Sequence, residues 1–195
     1  MDKFTESVNP ISSPALIFSG MKRFLLPQES PRIDVTAFIA AGAVVVGGVT
    51  VSAEASIWYN CVLRGDINHI YIGPRSNIQD GTIVHVADDF EARVGEAVSV
   101  GHRAIIHACT IGDETLVGMG AIVMDGAVIA PRCIIAAGAL VTKHTVVPEG
   151  SLVVGSPARV VRTLSLEEQA GNARLAAKYV EISRRYRELG HQQNA

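Results

Sequence analysis

Residues 111–153 read IGDETL-VGMGAI-VMDGAV-IAPRCI-IAAGAL-VTKHTV-VPEGSL-V, with Ile or Val opening every block of six. An earlier run keeps the same period at Ile33, Ile39, Val45, Val51, Ile57 and Leu63. Shorter stretches join the two: Ile72, Ile78 and Val84, then Val94, Val100 and Ile106. The breaks are three extra residues after Leu63, four extra after Val84 and one missing after Ile106. A small residue often stands four places after the aliphatic one, as at Ala37, Ala43, Ala55, Cys61, Ala104, Ala121, Ala127, Cys133 and Ala139. A helix would place apolar residues every three or four positions and a simple strand every two. Period six with β-branched residues at one phase predicts a parallel β-helix of hexapeptide repeats. Three hexads make one triangular coil, with the aliphatic side chain inside and the turns at the corners. The repeat predicts six to seven coils, and at ~4.8 Å per parallel strand the prism is ~30 Å tall.

The flanks follow other rules. Residues 1–32 hold Pro10, Pro14, Pro27 and Pro31 and are read as an extended arm, with a first strand near Ala15–Ser19. Residues 33–158 form the β-helix domain. Residues 159–195 switch to a helical pattern, with Ser165 and Glu168 as a capping box. The stripe Leu175, Tyr179, Ile182, Tyr186 and Leu189 then faces the helix's own solenoid or a neighbouring subunit, and Gly190 marks the stop. Tyr179, a polar tip on an apolar body, is the stripe residue expected to reach a site.

Composition narrows the function. Lys plus Arg number 17 and Asp plus Glu 19, which leaves no electrostatic footprint for nucleic acid or an anionic membrane. No apolar run reaches the ~20 residues of a transmembrane helix. The first thirty residues also lack the pattern of a secretory signal. Cys61, Cys109 and Cys133 form no CxxC pair and read as small core residues in a reducing cytoplasm.

The repeat also places the histidines. Call the faces that start at Leu63, Ile72 and Ile78 A, B and C. Arg64, His85 and His107 each follow the aliphatic residue of an A hexad, so they stack on one edge in successive coils. His85 and His107 are then ~4.8 Å apart along the axis, within reach of one metal at ~2.0–2.1 Å per bond. His102 is the third residue of a C hexad, as is Asp80 one coil below, with Gln79 beside it. His102 therefore lies on another face from His107, and a neighbouring prism packed A against C brings it over. Such packing is heterologous, and three copies around an axis close it. The expectation is a homotrimer with interfacial sites, His85 and His107 from one chain and His102 from the next, and with Arg64 facing Asp80 across the contact. Three imidazoles with an open position describe catalytic zinc, and the same donors suit Co, Fe or Ni. His69, His144 and His191 have no partners in this scheme and read as surface residues.

At this point the chain resembles a known family. Arg64-Gly65-Asp66, Asn77-Ile78-Gln79-Asp80-Gly81, His85, Gly101-His102 and His107 are similar in order and spacing to the gamma-class carbonic anhydrase family. Gly118-Met119-Gly120 and Gly155-Ser156-Pro157-Ala158 extend the likeness. The resemblance implies a left-handed β-helix, a trimer, and zinc or a similar metal held by His85, His102 and His107. It implies an intersubunit pair of Arg64 and Asp80, with Asp66 supporting Arg64 and Gln79 close to the metal's solvent. The implied activity is hydration of carbon dioxide to bicarbonate by a zinc hydroxide, since such a site lowers the pKa of water to about 7. A proton relay is also needed. Fully active members carry a glutamate where this chain has Ile67, and a longer acidic loop where this chain has only Val86–Arg93. Asp88, Asp89 and Glu91 are the acids available there. The rival readings are a metal-dependent acyl-coenzyme A thioesterase or hydrolase, a hexapeptide acyltransferase with a single general-base histidine, and a non-catalytic metal-binding trimer.

Overall fold

The computed structural model describes residues 29–192. The strand expected near Ala15–Ser19 lies outside them. The chain winds into the expected parallel β-helix. Strands Phe38–Ile39, Ser56–Ile57, Asn77–Ile78, Ser99–Val100, Leu116–Val117, Ile134–Ile135 and Ser151–Gly155 stack in one parallel ladder on face C, one strand per coil. These seven coils match the count given by the repeat. The pairs Leu63↔Val84, Val84↔Ile106 and Ile106↔Val123 fix face A, and Ile72↔Val94 and Val94↔Ile111 fix face B. Every inward position from Val51 to Val153 is buried, so the core is one column of aliphatic side chains lined by small corner residues. Cys61, Cys109 and Cys133 are free and buried in that column. Burial pushes the Cys61 thiol up to about 11 and the Cys109 thiol up to about 12, which makes both poor nucleophiles.

All three breaks in the period fall at one place, the corner between faces A and B. After Leu63 the extra residues continue as strand, so Val62–Ile72 runs unbroken from one face to the next. After Val84 the insertion makes a short loop closed by paired backbone bonds between Ala87 and Phe90. After Ile106 the missing residue is absorbed by Ala108, which turns the corner at φ 49°. The corner where the repeat is interrupted is the one that carries Arg64, His85 and His107.

The top coil is closed by a hairpin in which Ala158–Thr163 runs antiparallel to Ser151–Gly155, so residues 159–163 belong to the sheet. The helix spans Leu166–Glu188. Ser165 and Glu168 form the reciprocal capping box, and Gly190 follows the last turn at φ 76°. The helix packs on its own solenoid. Its Tyr179 and Tyr186 meet Trp58 edge-on at 5.7 and 5.2 Å, and Phe38 lies 5.1 Å from Trp58. Ser56, Asn77 and Ser99, small polar residues on the outer side of face C, are completely covered. Asn172 adds a buried hydrogen bond to the Cys133 carbonyl at 3.0 Å. The helix therefore runs along face C from the Cys133 coil down past Asn77–Ile78, Ser56–Ile57 and Phe38–Ile39, and Asp80 and His102 stay partly exposed. Face A is different. Its outer side carries the ladder Val44, Val62, Ile83, Ile105, Ile122 and Leu140, exposed or half-buried in the single chain.

Candidate metal centre

Register places Arg64, His85 and His107 in line, because Arg64 pairs with His85 and His85 with His107 across adjacent strands. The rings of His85 and His107 tilt toward each other, and His85 Nδ1 lies 3.1 Å from His107 Nε2. Their outer nitrogens are both engaged by carboxylates. His85 Nε2 meets Asp66 Oδ1 at 2.9 Å, and His107 Nδ1 meets Asp125 Oδ1 at 2.5 Å. Each carboxylate is in turn held by a cation: Arg64 donates to Asp66, and Lys143 Nζ stands 2.6 Å from Asp125 Oδ2. Partial burial alone would raise the Asp66 carboxyl, but the bond from His85 and the charge of Arg64 outweigh it and hold it below the usual carboxylate range. Asp125 is driven lower, to about 2, chiefly by Lys143 and further by His107.

His102 repeats the pattern on the other corner. Its Nδ1 lies 2.8 Å from Asp80 Oδ2, one coil below, as the shared phase of the two residues predicts. Within one chain Asp80 is thus a partner of His102 and Arg64 a partner of Asp66. Within one chain Arg64 and Asp80 do not pair with each other. Gln79 is buried beside Asp80, its amide donating to Asn77 Oδ1 at 3.0 Å, and Asn77 donates onward to Ser99. Tyr179 is half-buried against Trp58. Burial and then the nearby Asp80 charge raise its hydroxyl above the ordinary range. The helix thus brings Tyr179 to the His102 side. Asp88 and Asp89 sit exposed on the loop, and Glu91 is tied to Arg93 at 2.9 Å. Among the described residues of a single chain, no group of three His, Cys, Asp or Glu side chains converges to hold an ion. His85 and His107 come together and His102 does not.

The donor set fits a metal. A metal-binding histidine gives its outer N–H to a carboxylate or carbonyl, which fixes the tautomer and leaves the inner nitrogen as a lone pair. All three histidines have that outer partner. With both outer nitrogens donating, His85 Nδ1 and His107 Nε2 face each other as two acceptors, an arrangement that calls for a cation between them. Two ligands of one tetrahedral ion at ~2.0–2.1 Å stand about 3.3 Å apart, close to the spacing seen here. Asp125 and Lys143 were not found by the sequence reading. The signal was present: both stand two places after an A-face aliphatic, at Val123 and Val141, directly above the histidine edge.

Comparison with known proteins identifies the family. Residues 108–143 match the bacterial transferase hexapeptide family (six repeats). The chain is 41% identical over 162 residues to gamma carbonic anhydrase 2, mitochondrial, of Arabidopsis thaliana, an alignment covering 80% of this chain and 58% of that longer protein. It is 39% identical over 167 residues to a carbonic anhydrase of Geobacillus kaustophilus, covering 86% of this chain and 92% of that one. In three dimensions it superimposes on a hexapeptide transferase family protein from Anaplasma phagocytophilum with a TM-score of 0.77 and 44% identity, covering 80% of this chain and 92% of that one. Likeness at that level over nearly the full length of the bacterial enzyme leads to one conclusion: the chain belongs to the gamma carbonic anhydrase family.

Proposed function

We propose that the protein is a zinc-dependent carbonic anhydrase that works as a homotrimer in the cytoplasm and interconverts carbon dioxide and bicarbonate. Each site takes His85 and His107 from one protomer and His102 of the partner subunit. The observation that carries this reading is the carboxylate behind every one of the three histidines, with the inner nitrogens of His85 and His107 turned toward each other. The aliphatic ladder on the outer side of face A supports the trimer, since a contiguous apolar strip of this kind marks an interface. The helix on face C means that the neighbour meets the corner with His102 and Asp80 rather than the flat of the face.

A zinc ion in such a site supplies the acidity that lets water attack carbon at neutral pH, and cobalt, iron or nickel would accept the same donors. The chain's own residues do the rest. Asp66, Asp125 and Asp80 fix the three imidazoles. Arg64, exposed at the edge, is placed to meet Asp80 of the partner subunit. Gln79, locked by Asn77, presents a fixed amide beside the His102 corner for orienting a small polar substrate, and Tyr179 closes that side. The proton released has to leave through a titratable group, for which the exposed Asp88 and Asp89 are at hand. Three buried free cysteines support a reducing compartment. No helix among the described residues is long and apolar enough to cross a membrane.

Stopped-flow hydration of carbon dioxide by the zinc-loaded protein tests the reading, with a panel of coenzyme A thioesters run beside it. Hydration above buffer that disappears with a chelator is expected. Zinc bound in full with no hydration would overturn it, and thioester cleavage in its place would reassign the same centre to a hydrolase.

A further inference from the structure

We propose that Asp125 and Lys143 are positioning residues for His107, forming a chain of contacts that climbs the prism edge one coil at a time. The inference rests on the reading of His107 as a metal ligand. His107 ends the strand Ile105–His107, Asp125 stands two places after Val123 in the coil above, and Lys143 two places after Val141 in the next. The stacking of hexapeptide coils puts Asp125 and Lys143 at one phase, and the Asp125 side chain leans across to His107, which stands one place earlier in its own coil. Lys143 Nζ lies 2.6 Å from Asp125 Oδ2, and Asp125 Oδ1 lies 2.5 Å from His107 Nδ1, so each carboxylate oxygen serves one partner.

The turn that carries Asp125 is fixed by backbone bonds. The Asp125 carbonyl accepts from the His144 N–H at 3.0 Å, and the Gly126 N–H donates to the Ala108 carbonyl at 2.8 Å. Gly126 sits at φ 66°, and a Cβ there would come within 2.5 Å of the His144 ring nitrogen. Asp125 is mostly buried and Lys143 half-exposed, which suits a fixed acceptor neutralised from outside. The acceptor obliges His107 to donate from Nδ1 and leaves Nε2 directed at His85. Arg64 behind Asp66 is the matching arrangement for His85. A ligand held in one tautomer and one ring orientation loses little freedom when metal arrives, and removing such an outer partner costs about 10–100-fold in affinity.

The test uses the full-length protein and zinc, measured by chelator competition, together with nitrogen-15 NMR of the metal-free protein to read the His107 tautomer. Asp125→Asn is expected to weaken zinc binding about 10–100-fold and to abolish the preference for the Nδ1–H tautomer. Lys143→Met, with trimer and thermal unfolding measured alongside as controls, is expected to weaken binding by roughly the low end of that range, and Lys143→Arg to restore it. Wild-type zinc affinity and an unchanged His107 tautomer in both Asp125→Asn and Lys143→Met would overturn the inference, provided His107→Ala loses the metal. Zinc held at wild-type affinity by His107→Ala would instead overturn the ligand reading, and the positioning role with it.

Discussion

His85 Nδ1 and His107 Nε2 face each other across 3.1 Å, although 22 residues separate them in the chain. One turn of the β-helix accounts for the approach, because the two residues are direct partners in adjacent strands. With Asp66 and Asp125 accepting from the outer nitrogens, both inner nitrogens turn a lone pair toward the same point. His107→Ala is therefore expected to lose stoichiometric zinc while the coil stays folded, as measured by metal analysis and circular dichroism. Arg64→Ala keeps all three imidazoles and is expected to weaken the trimer before the metal. Full zinc occupancy in the His107 variant would remove that residue from the ligand set.

The outer ladder of face A gives a prediction about assembly. Ile83 and Ile105 open the strands that end at His85 and His107 and are only partly covered in the single chain. Burying an isoleucine side chain contributes about 1.5–3 kcal/mol, and a charge in its place reverses the sign. Ile83→Glu should shift the protein to monomers in sedimentation, with zinc lost at the same time. A trimer of unchanged affinity would show that face A is not the interface.

Trp58 holds the helix to face C through Phe38, Tyr179 and Tyr186. Trp58→Ala removes that anchor and is expected to destabilise the fold by about 3–5 kcal/mol. Thermal unfolding reads the loss, and limited proteolysis should cut first within Leu166–Glu188. Unaltered stability would mean that the helix is held by Asn172 and the arginine contacts at its end.

The capping box predicts a dependence on pH. Arg162 and the Ser165 backbone hold the Glu168 carboxyl at about 2, well below its ordinary value. A lowered carboxylate stabilises the fold fully above the unfolded value of about 4.3 and loses that contribution as pH falls toward 2. The difference in melting temperature between the wild type and Glu168→Gln should be constant near neutrality and shrink between about pH 4.5 and 2. A difference that grows on acidification would contradict the assignment.

Much of this was legible from the period alone. Twenty aliphatic positions define the coils, and their phase puts His85 over Arg64 and His102 over Asp80. The capping pair and Gly190 bound the helix as expected. The partners of the helix were not legible, because an apolar stripe at helical spacing fits its own solenoid as well as a neighbour's. What decided it is the outer phase of face C, where Ser56, Asn77 and Ser99 stand in place of the aliphatics found on face A. Small polar residues leave room for a helix, and large apolar ones invite another copy. Asp125 and Lys143 were missed because they follow Val123 and Val141 at a phase where most coils carry nothing charged. Only the side-chain geometry shows that Lys143 reaches Asp125 and Asp125 reaches His107.

The sharpest measurement mixes two variants that should each be empty. His102→Ala and His107→Ala homotrimers are both expected to bind no zinc. In any mixed trimer, closure of the ring leaves one junction at which an intact His85 and His107 meet an intact His102 of the partner subunit. Co-assembled protein should therefore recover about one zinc per mixed trimer, together with carbon dioxide hydration. If the mixture remains without metal, or either parent binds zinc unaided, the ligands are not shared between neighbouring chains.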